Sequence, residues 1–556
     1  MFIKKCFRYT SLYQTESIDG SMIFFSRKLT VVAAIAIVVL EAVISAPAVV
    51  AKSNVTLIAA AVNSDPILSK EAKQFYAQRD FEPIWVGSKN KKRAKALIAA
   101  VTSAATHGLP KSQYRITELQ SALAGRHGNR RAAAETFATK IFLKYAHDLS
   151  SGILQPRKVD KEIAVKVPRR SELALLDAIS RSSPSGFFKA LVPKHPEYSR
   201  LLKEKERLER LIGRGGFGDP IRSETLKLGT SSKNITKIRA RLSSMGYGRL
   251  GAHSNYDEVL LPVVKQFQKD HGLKPDGVIG PGTMKALNAS VEQRLKQVIV
   301  NLERERWINR SRGKRHIIVN LANFSLNVYD NDNVTFTSKV VIGKIGKERT
   351  PEFHDQMTHM VVNPTWHVPS SITSKEYLPI MKTDPEFLIS RGMRMYDDSG
   401  VVVNPEDVDF AEYDEKTFPY SIKQRPSKSN ALGLVKFMFP NRYNIYLHDT
   451  PSKNLFNREV RAFSHGCVRV QKPFEFAYKL LANQTSDPKS VFHSLLNTGD
   501  EHYVDLQNPV PIYLNYRTVF FDENGRMNYR NDIYGRDKNI FNALSKAGVA
   551  LHSVQG

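Results

Sequence analysis

Tyr443–Val470 reads YNIYLHDTPSKNLFNREVRAFSHGCVRV. His448 closes an apolar run, and sixteen residues later comes Ser464-His465-Gly466-Cys467. A thiol attacks as its thiolate, and a nearby base or positive field supplies that form. His448 is therefore the candidate base and Cys467 the candidate nucleophile. Gly466 lets the backbone turn tightly before the thiol and leaves amide N–H groups to face an oxyanion. Asp449, or a backbone carbonyl beside it, is expected to fix the His448 tautomer. Ser464, His465 and Arg469 flank the thiol. Zinc held by His448, His465 and Cys467 would lack paired Cys-x-x-Cys spacing, so no metal is expected, and no cofactor. Papain-like hydrolases carry the cysteine before the histidine; here the histidine comes first.

Working outward, the chain has 556 residues, too many for one core, and three folded units behind a leader are expected. The class is multidomain α+β. Lys and Arg number 82 against 54 Asp and Glu, a net charge of +28, which favours polyanionic partners. Zinc-finger spacing and aromatic-rich RNA-binding signatures are both missing, so nucleic acid is not the expected partner. Arg27 and Lys28 precede the apolar run Leu29–Leu40, and Ala46, Ala48 and Ala51 follow, the pattern of a signal peptide. The leader is placed at 1–51, with Met22 as an alternative start. Export to the periplasm is expected, with inner-membrane anchoring if the leader stays uncleaved. The chain has two cysteines, Cys6 and Cys467, so the exported protein would keep a single thiol.

Residues 52–225 read as a helical scaffold domain, with apolar helical spacing in Ala94–Ala105 and Thr136–Leu149. A basic stretch, Arg126–Arg170, is either a solvated face or a contact for anionic wall polymer. A small helical module is expected over 230–290: helices at Ile235–Leu242, Asp257–Asp270 and Thr283–Leu287 around a turn-rich Lys274–Pro281. Ser290 and Gln293 make a capping box for a helix to Trp307, with Leu295, Val298 and Leu302 as its buried stripe. A β-rich domain then spans 291–545. Strands are expected at Ile317–Val319, Leu326–Tyr329, Val334–Ile342, Leu434–Phe439, Tyr443–Leu447 and Pro511–Phe521. The polar stretch 372–425 interrupts it and is expected to be a capping insertion.

The order and spacing of His448 and Ser464-His465-Gly466-Cys467-Val468-Arg469 resemble the YkuD-type L,D-transpeptidases. Asn430–Phe437 with Pro440-Asn441 is similar to the family stretch before the histidine strand. Met360–Pro369 is similar to its substrate-groove strand. Asp532-Ile533-Tyr534-Gly535-Arg536-Asp537 is similar to the carboxy-terminal motif of the large, YcbB-like branch. Phe75-Tyr76, Pro83–Val86 and His107-Gly108-Leu109 resemble that branch's scaffold. Phe267-Gln268, Gly272-Leu273 and Asp276–Gly280 resemble a peptidoglycan-binding module. Ser427 departs from the pattern, standing where glycine is frequent.

The resemblance implies a fold of helical scaffold, peptidoglycan-binding module and β-rich catalytic domain. It also implies a reaction on peptidoglycan stem peptides borne on glycan strands. Cys467 would acylate on a tetrapeptide donor, and the side-chain amine of a diamino acid in a second stem would take the acyl group, a 3→3 crosslink. The Gly466–Cys467 turn would hold the carbonyl oxygen, and carbapenems would be inhibitors. An L,D-carboxypeptidase, a transferase attaching outer-membrane proteins to the wall, and a non-catalytic wall-binding protein remain as alternatives.

Overall fold

The computed structural model describes residues 55–551 except 126, 127 and 385. The expected leader, Cys6, Met22 and the start of the basic stretch at Arg126 lie outside the described residues.

The scaffold is built on the helix Gly128–Ser151, which buries most of its length. Burial of a carboxylate is costly unless it is fully hydrogen-bonded. Glu135, fully buried, meets that condition. It accepts from the amides of Ile84, Trp85 and Val86 and from the Tyr76 hydroxyl at 2.6 Å. Two of the three scaffold motifs noted in the sequence, Phe75-Tyr76 and Pro83–Val86, therefore converge on one side chain. The small module packs helices Lys233–Ser244, Leu260–Asp270 and Pro281–Leu287 around its own core. Gln268 closes its turn, donating to Asp276 and Val278 O and accepting from the Gly277 amide.

The helix Val291–Trp307 joins the units and begins with the expected Ser290–Gln293 capping box. Leu295, Val298 and Leu302 are buried, but so is the run Glu303-Arg304-Glu305-Arg306. Glu303 accepts from the Leu154 amide, and Arg306 donates to His107 O and the Tyr198 hydroxyl, all on the scaffold side. Arg304 pairs with Glu352 and Asp537, and Glu305 with Arg517 and Arg312, all on the catalytic side.

The β-rich domain contains strands β1 (Arg315–Asn320), β2 (Ser325–Asp330), β3 (Asn333–Gly343) and β4 (Phe353–Val362). The cap follows with β5 (Trp366–His367), β6 (Met393–Tyr396), β7 (Val402–Val403) and β8 (Ser421–Gln424). Then come β9 (Val435–Met438), β10 (Leu447–His448), β11 (Ala462–Ser464), β12 (Val468–Val470) and β13 (His502–Asn515). A final hairpin is β14 (Val519–Phe521) with β15 (Met527–Tyr529). The main sheet runs β11-β3-β12-β10-β9-β4-β13-β1-β2, and β2 also pairs with β3, so it curls back on itself. Its interior is the aliphatic and aromatic core of the domain.

Three expected strands differ in extent. Pro511–Phe521 is broken between β13 and β14, which belong to different sheets, because the Asn320 side chain bonds both the amide and the carbonyl of Arg517. The run Tyr443–Leu447 is mostly loop, and β10 starts only at Leu447. The Asn441 side chain explains this: it accepts from the Tyr443 and Ile445 amides and donates to Phe439 O and Ile445 O, while Asn444 takes a left-handed turn at φ 53°. Met360–Pro369 is likewise two pieces, the end of β4 and the short β5, which belong to different sheets. The insertion folds as a four-stranded sheet, β5-β8-β6-β7, over its own apolar core, which reaches from Trp366 to Leu432, wider than 372–425. Ser427 sits in the turn that returns from the cap, accepting from the Asn430 amide at 3.1 Å.

Glu352 tests the weight of the buried ion network, because it pairs with both Arg304 and Arg536. Removing one partner of a buried pair costs about 3–5 kcal/mol. Glu352→Leu should lower the urea midpoint by an amount corresponding to that loss, followed by tryptophan fluorescence. An unchanged midpoint would show that the network is not what holds the units together.

Candidate active site

β10 and β12 lie side by side and parallel, with Leu447 opposite Val468 and His448 opposite Arg469. This pairing, together with the Val468 amide donating to Tyr446 O, brings the two halves of the sequence motif onto one wall. Both halves line a cavity of about 890 Å³ between the sheet and the cap. Cavities elsewhere, of about 230 and 410 Å³, are smaller.

The turn at Cys467 is built by short contacts. The Ser464 hydroxyl donates to Cys467 O at 2.5 Å and accepts from the Gly466 amide at 3.2 Å. Gly466 has φ 117°, a backbone conformation that favours glycine, and a Cβ there would also crowd Ile445 Cδ1 at 3.2 Å. Thr350 grips the same turn from behind. Its hydroxyl donates to Gly466 O at 2.7 Å and accepts from the Gly343 amide. The Tyr534 hydroxyl donates to Gly343 O and accepts from the Thr350 amide, while Arg536 donates to Thr350 O. The carboxy-terminal motif noted in the sequence therefore buttresses the Cys467 turn.

Of the two amides expected to face an oxyanion, the Gly466 N–H is taken by Ser464. The Cys467 N–H has no acceptor among the described residues.

His448 is buried, and its Nδ1 sits 2.5 Å from Asp449 O. The backbone carbonyl, not the Asp449 carboxylate, thus orients the ring. That carboxylate is engaged elsewhere: it accepts from the Leu434 amide and pairs with Lys453. It also lies where a Cβ on Gly433 (φ 62°) would fall, so Gly433 makes room for it. Burial first, and Arg469 second, pull His448 down to about 3, so the imidazole is neutral.

Cys467 is half-buried at the cavity wall, and its sulfur points to Asn444 O at 3.5 Å. Burial pushes its thiol up to about 11. The thiol and His448 do not hydrogen-bond in this arrangement; they face the same cavity as a neutral pair. Such contacts commonly tighten only when substrate is bound.

Tyr446 was not singled out in the sequence. Its ring stands edge-on to His448, centroids 5.7 Å apart, and its hydroxyl interacts with the Cys467 sulfur. Tyr446 lies just before β10, in the loop that Asn441 shapes, so strand period alone does not point to it. Arg469 lines the cavity with its buried Nε unpartnered, and none of the described carboxylates ion-pairs with it.

His465 turns to the cap: its Nε2 is 2.5 Å from Glu376 Oε1. Glu348, Glu376 and His465 bring ligand atoms within 4.8 Å of one another. The Lys344 ammonium already supplies a cation there, 3.2 Å from Glu348 and 3.3 Å from His465.

Residues 314–512 match the family described as the L,D-transpeptidase catalytic domain. These residues form a YkuD-type L,D-transpeptidase catalytic domain. Residues 70–204 match a scaffold domain and 231–287 a peptidoglycan-binding domain. A "Putative L,D-transpeptidase" of Haemophilus influenzae is 35% identical over 224 residues, covering 40% of this chain and 45% of that protein. A "Probable N-acetylmuramoyl-L-alanine amidase" of Bacillus licheniformis is 37% identical over 67 residues, covering 12% of this chain and 19% of that protein. The chain thus spans less than half the length of either relative. An L,D-transpeptidase structure from Xylanimonas cellulosilytica aligns at 16% identity with a TM-score of 0.16, covering 53% of this chain and all of that one. That score is too low to add to the assignment.

Two outcomes follow for the transpeptidase site. With His448 held near 3 and Cys467 near 11, neither group titrates in the neutral range. Below His448's ordinary value near 6.5 the base stays neutral, so no acid limb should fall there. If neutral His448 takes the thiol proton during attack, Cys467 acylation by a carbapenem should vary less than about 3-fold from roughly pH 5 to 9. A rate rising about tenfold per pH unit would instead assign attack to pre-formed thiolate. Thr350→Val, which keeps volume but releases Gly466 O, should slow acylation by up to about 100-fold through misplacement of the turn. Intact-mass time courses read both.

Proposed function

We propose that the protein is a peptidoglycan L,D-transpeptidase working through a Cys467 acyl-enzyme, outside the cytoplasm. The observation that carries the reading is the capped cavity that places Cys467, the neutral His448 and the unpaired Arg469 on one wall. The matched catalytic and peptidoglycan-binding domains support wall peptide as the substrate class. Among the described residues no helix is long and apolar enough to cross a membrane.

The reaction runs in two halves. His448 takes the thiol proton as Cys467 Sγ attacks the carbonyl of the third stem residue, a diamino acid. The Cys467 amide is the turn's free donor for the oxyanion. The C–N bond breaks, the terminal D-alanine leaves as an amine with the proton from His448, and a thioester remains. The side-chain amine of a second stem then attacks the thioester. His448 takes a proton from that amine, the C–S bond breaks, and the thiol is restored with a 3→3 amide. Arg469 holds a stem carboxylate, and the cap, latched through Glu376 to His465, covers the groove and keeps water from the thioester.

Tetrapeptide-bearing muropeptides incubated with the purified protein should give 3→3 dimers by mass spectrometry. Cys467→Ala should give none while keeping the parent's thermal unfolding. Cleavage to tripeptide without dimers would instead make it an L,D-carboxypeptidase. Turnover retained in Cys467→Ala would remove the thiol from the mechanism altogether.

A further inference from the structure

Several buried arginines of this protein pair with carboxylates: Arg304 with Glu352, Arg306 with Glu303, Arg517 with Glu305, Arg536 with Glu162. A cavity apart from the one at Cys467 gathers cations that have no such partner among the described residues. It has a volume of about 410 Å³ and lies where the end of the scaffold helix Gly128–Ser151 meets the residues just before β1. Arg169, Arg170, Lys194 and Arg310 line it, and no aspartate or glutamate does. None of these four cations ion-pairs with a carboxylate among the described residues.

The helix end does not call on the exposed cations Arg169, Arg170 and Lys194 for its own polar groups. The helix-end carbonyl of Ser150 already accepts from Asn309 Nδ2 at 2.9 Å. Ser151 is spent on Pro168 O. Arg310 is held in place, its guanidinium donating to His354 Nε2 at 2.8 Å and to Lys166 O, and its carbonyl accepting from His195. It sits half-buried, while Arg169, Arg170 and Lys194 are exposed around it. Four like charges facing one hollow repel each other, an arrangement that an anion relieves.

We propose that this cavity is an anion-binding exosite that holds the carboxylates of a wall stem peptide, separate from the catalytic cavity. The proposal rests on peptidoglycan being the substrate class, as argued above. Its cations come from three chain segments, 169–170, 194 and 310. That suits a peptide bearing several carboxylates better than a single phosphate, which one guanidinium fork would hold bidentately. The site would grip a strand at a distance from the reacting amide, so that the enzyme keeps hold of the wall between turnovers. The basic composition of the chain, +28 overall, would then include a shaped site besides its diffuse attraction.

The experiment blocks the catalytic cavity first. The full chain is acylated on Cys467 with a carbapenem, and complete modification is checked by intact mass. Failure at that step speaks against the catalytic reading alone. Soluble tetrapeptide muropeptide is then titrated into the acylated protein by calorimetry at low and high salt. One salt-sensitive site is expected. The triple variant Arg169→Gln, Arg170→Gln, Lys194→Gln, altered only at exposed positions, should weaken it by about 10-fold or more while its acylation rate stays at the parent's. Acylated parent that binds no muropeptide, or a triple variant that binds as tightly as the parent, overturns the proposal. Pyrophosphate binding that is lost in the triple variant, with muropeptide unbound, overturns the carboxylate assignment in favour of a phosphate ligand.

Discussion

Four charged residues in succession, Glu303-Arg304-Glu305-Arg306, are buried in the middle of the protein. Taking such groups out of water costs several kcal/mol each unless every one is matched. Here the helical twist sends the outer two to one side and the inner two to the other. Glu303 and Arg306 meet the scaffold at Leu154, His107 and Tyr198. Arg304 and Glu305 meet the catalytic domain at Glu352, Asp537, Arg517 and Arg312. Neither side can withdraw without leaving bare charges, so scaffold and catalytic domain hold one fixed relation.

That constraint reaches the nucleophile in few steps. Glu352, held by Arg304, also holds Arg536. Arg536 donates to Thr350 O, and the Thr350 hydroxyl donates to Gly466 O, one residue before Cys467. On the other flank Ser464 closes the same turn and His465 takes hold of the cap through Glu376. The thiol thus sits on a turn clamped from the core, from its own strand and from the lid. A neutral thiol facing a neutral imidazole is consistent with such an enclosed place, because burial disfavours both charged forms.

Local patterns were read well where they rest on neighbouring residues. The Ser290–Gln293 cap, the three module helices and the paired runs of β2 and β3 all follow from spacing along the chain. Tyr443–Leu447 was misread as strand because β-propensity says nothing of the Asn441 side chain, which bonds the backbone into a loop. The Arg304 and Glu305 positions look like solvated surface for the same kind of reason: charge in a sequence does not reveal a partner some 48 or 212 residues away, as Glu352 and Arg517 are.

By itself the sequence determined the chemistry on offer: a histidine before Ser464-His465-Gly466-Cys467, a helical front, a β-rich back and an insertion between. Those are properties of residue type and short spacing. Tertiary structure alone decided which groups meet. It gave the orientation of His448 to the Asp449 carbonyl rather than its carboxylate, spent the Gly466 amide on Ser464, and placed Tyr446 at the sulfur. It also set Glu376 against His465, 89 residues apart, and left Arg469 unpaired in the cavity. Hydrogen bonds and desolvation depend on positions in space to within an ångström, and those positions are set by the packing of strands distant in the chain.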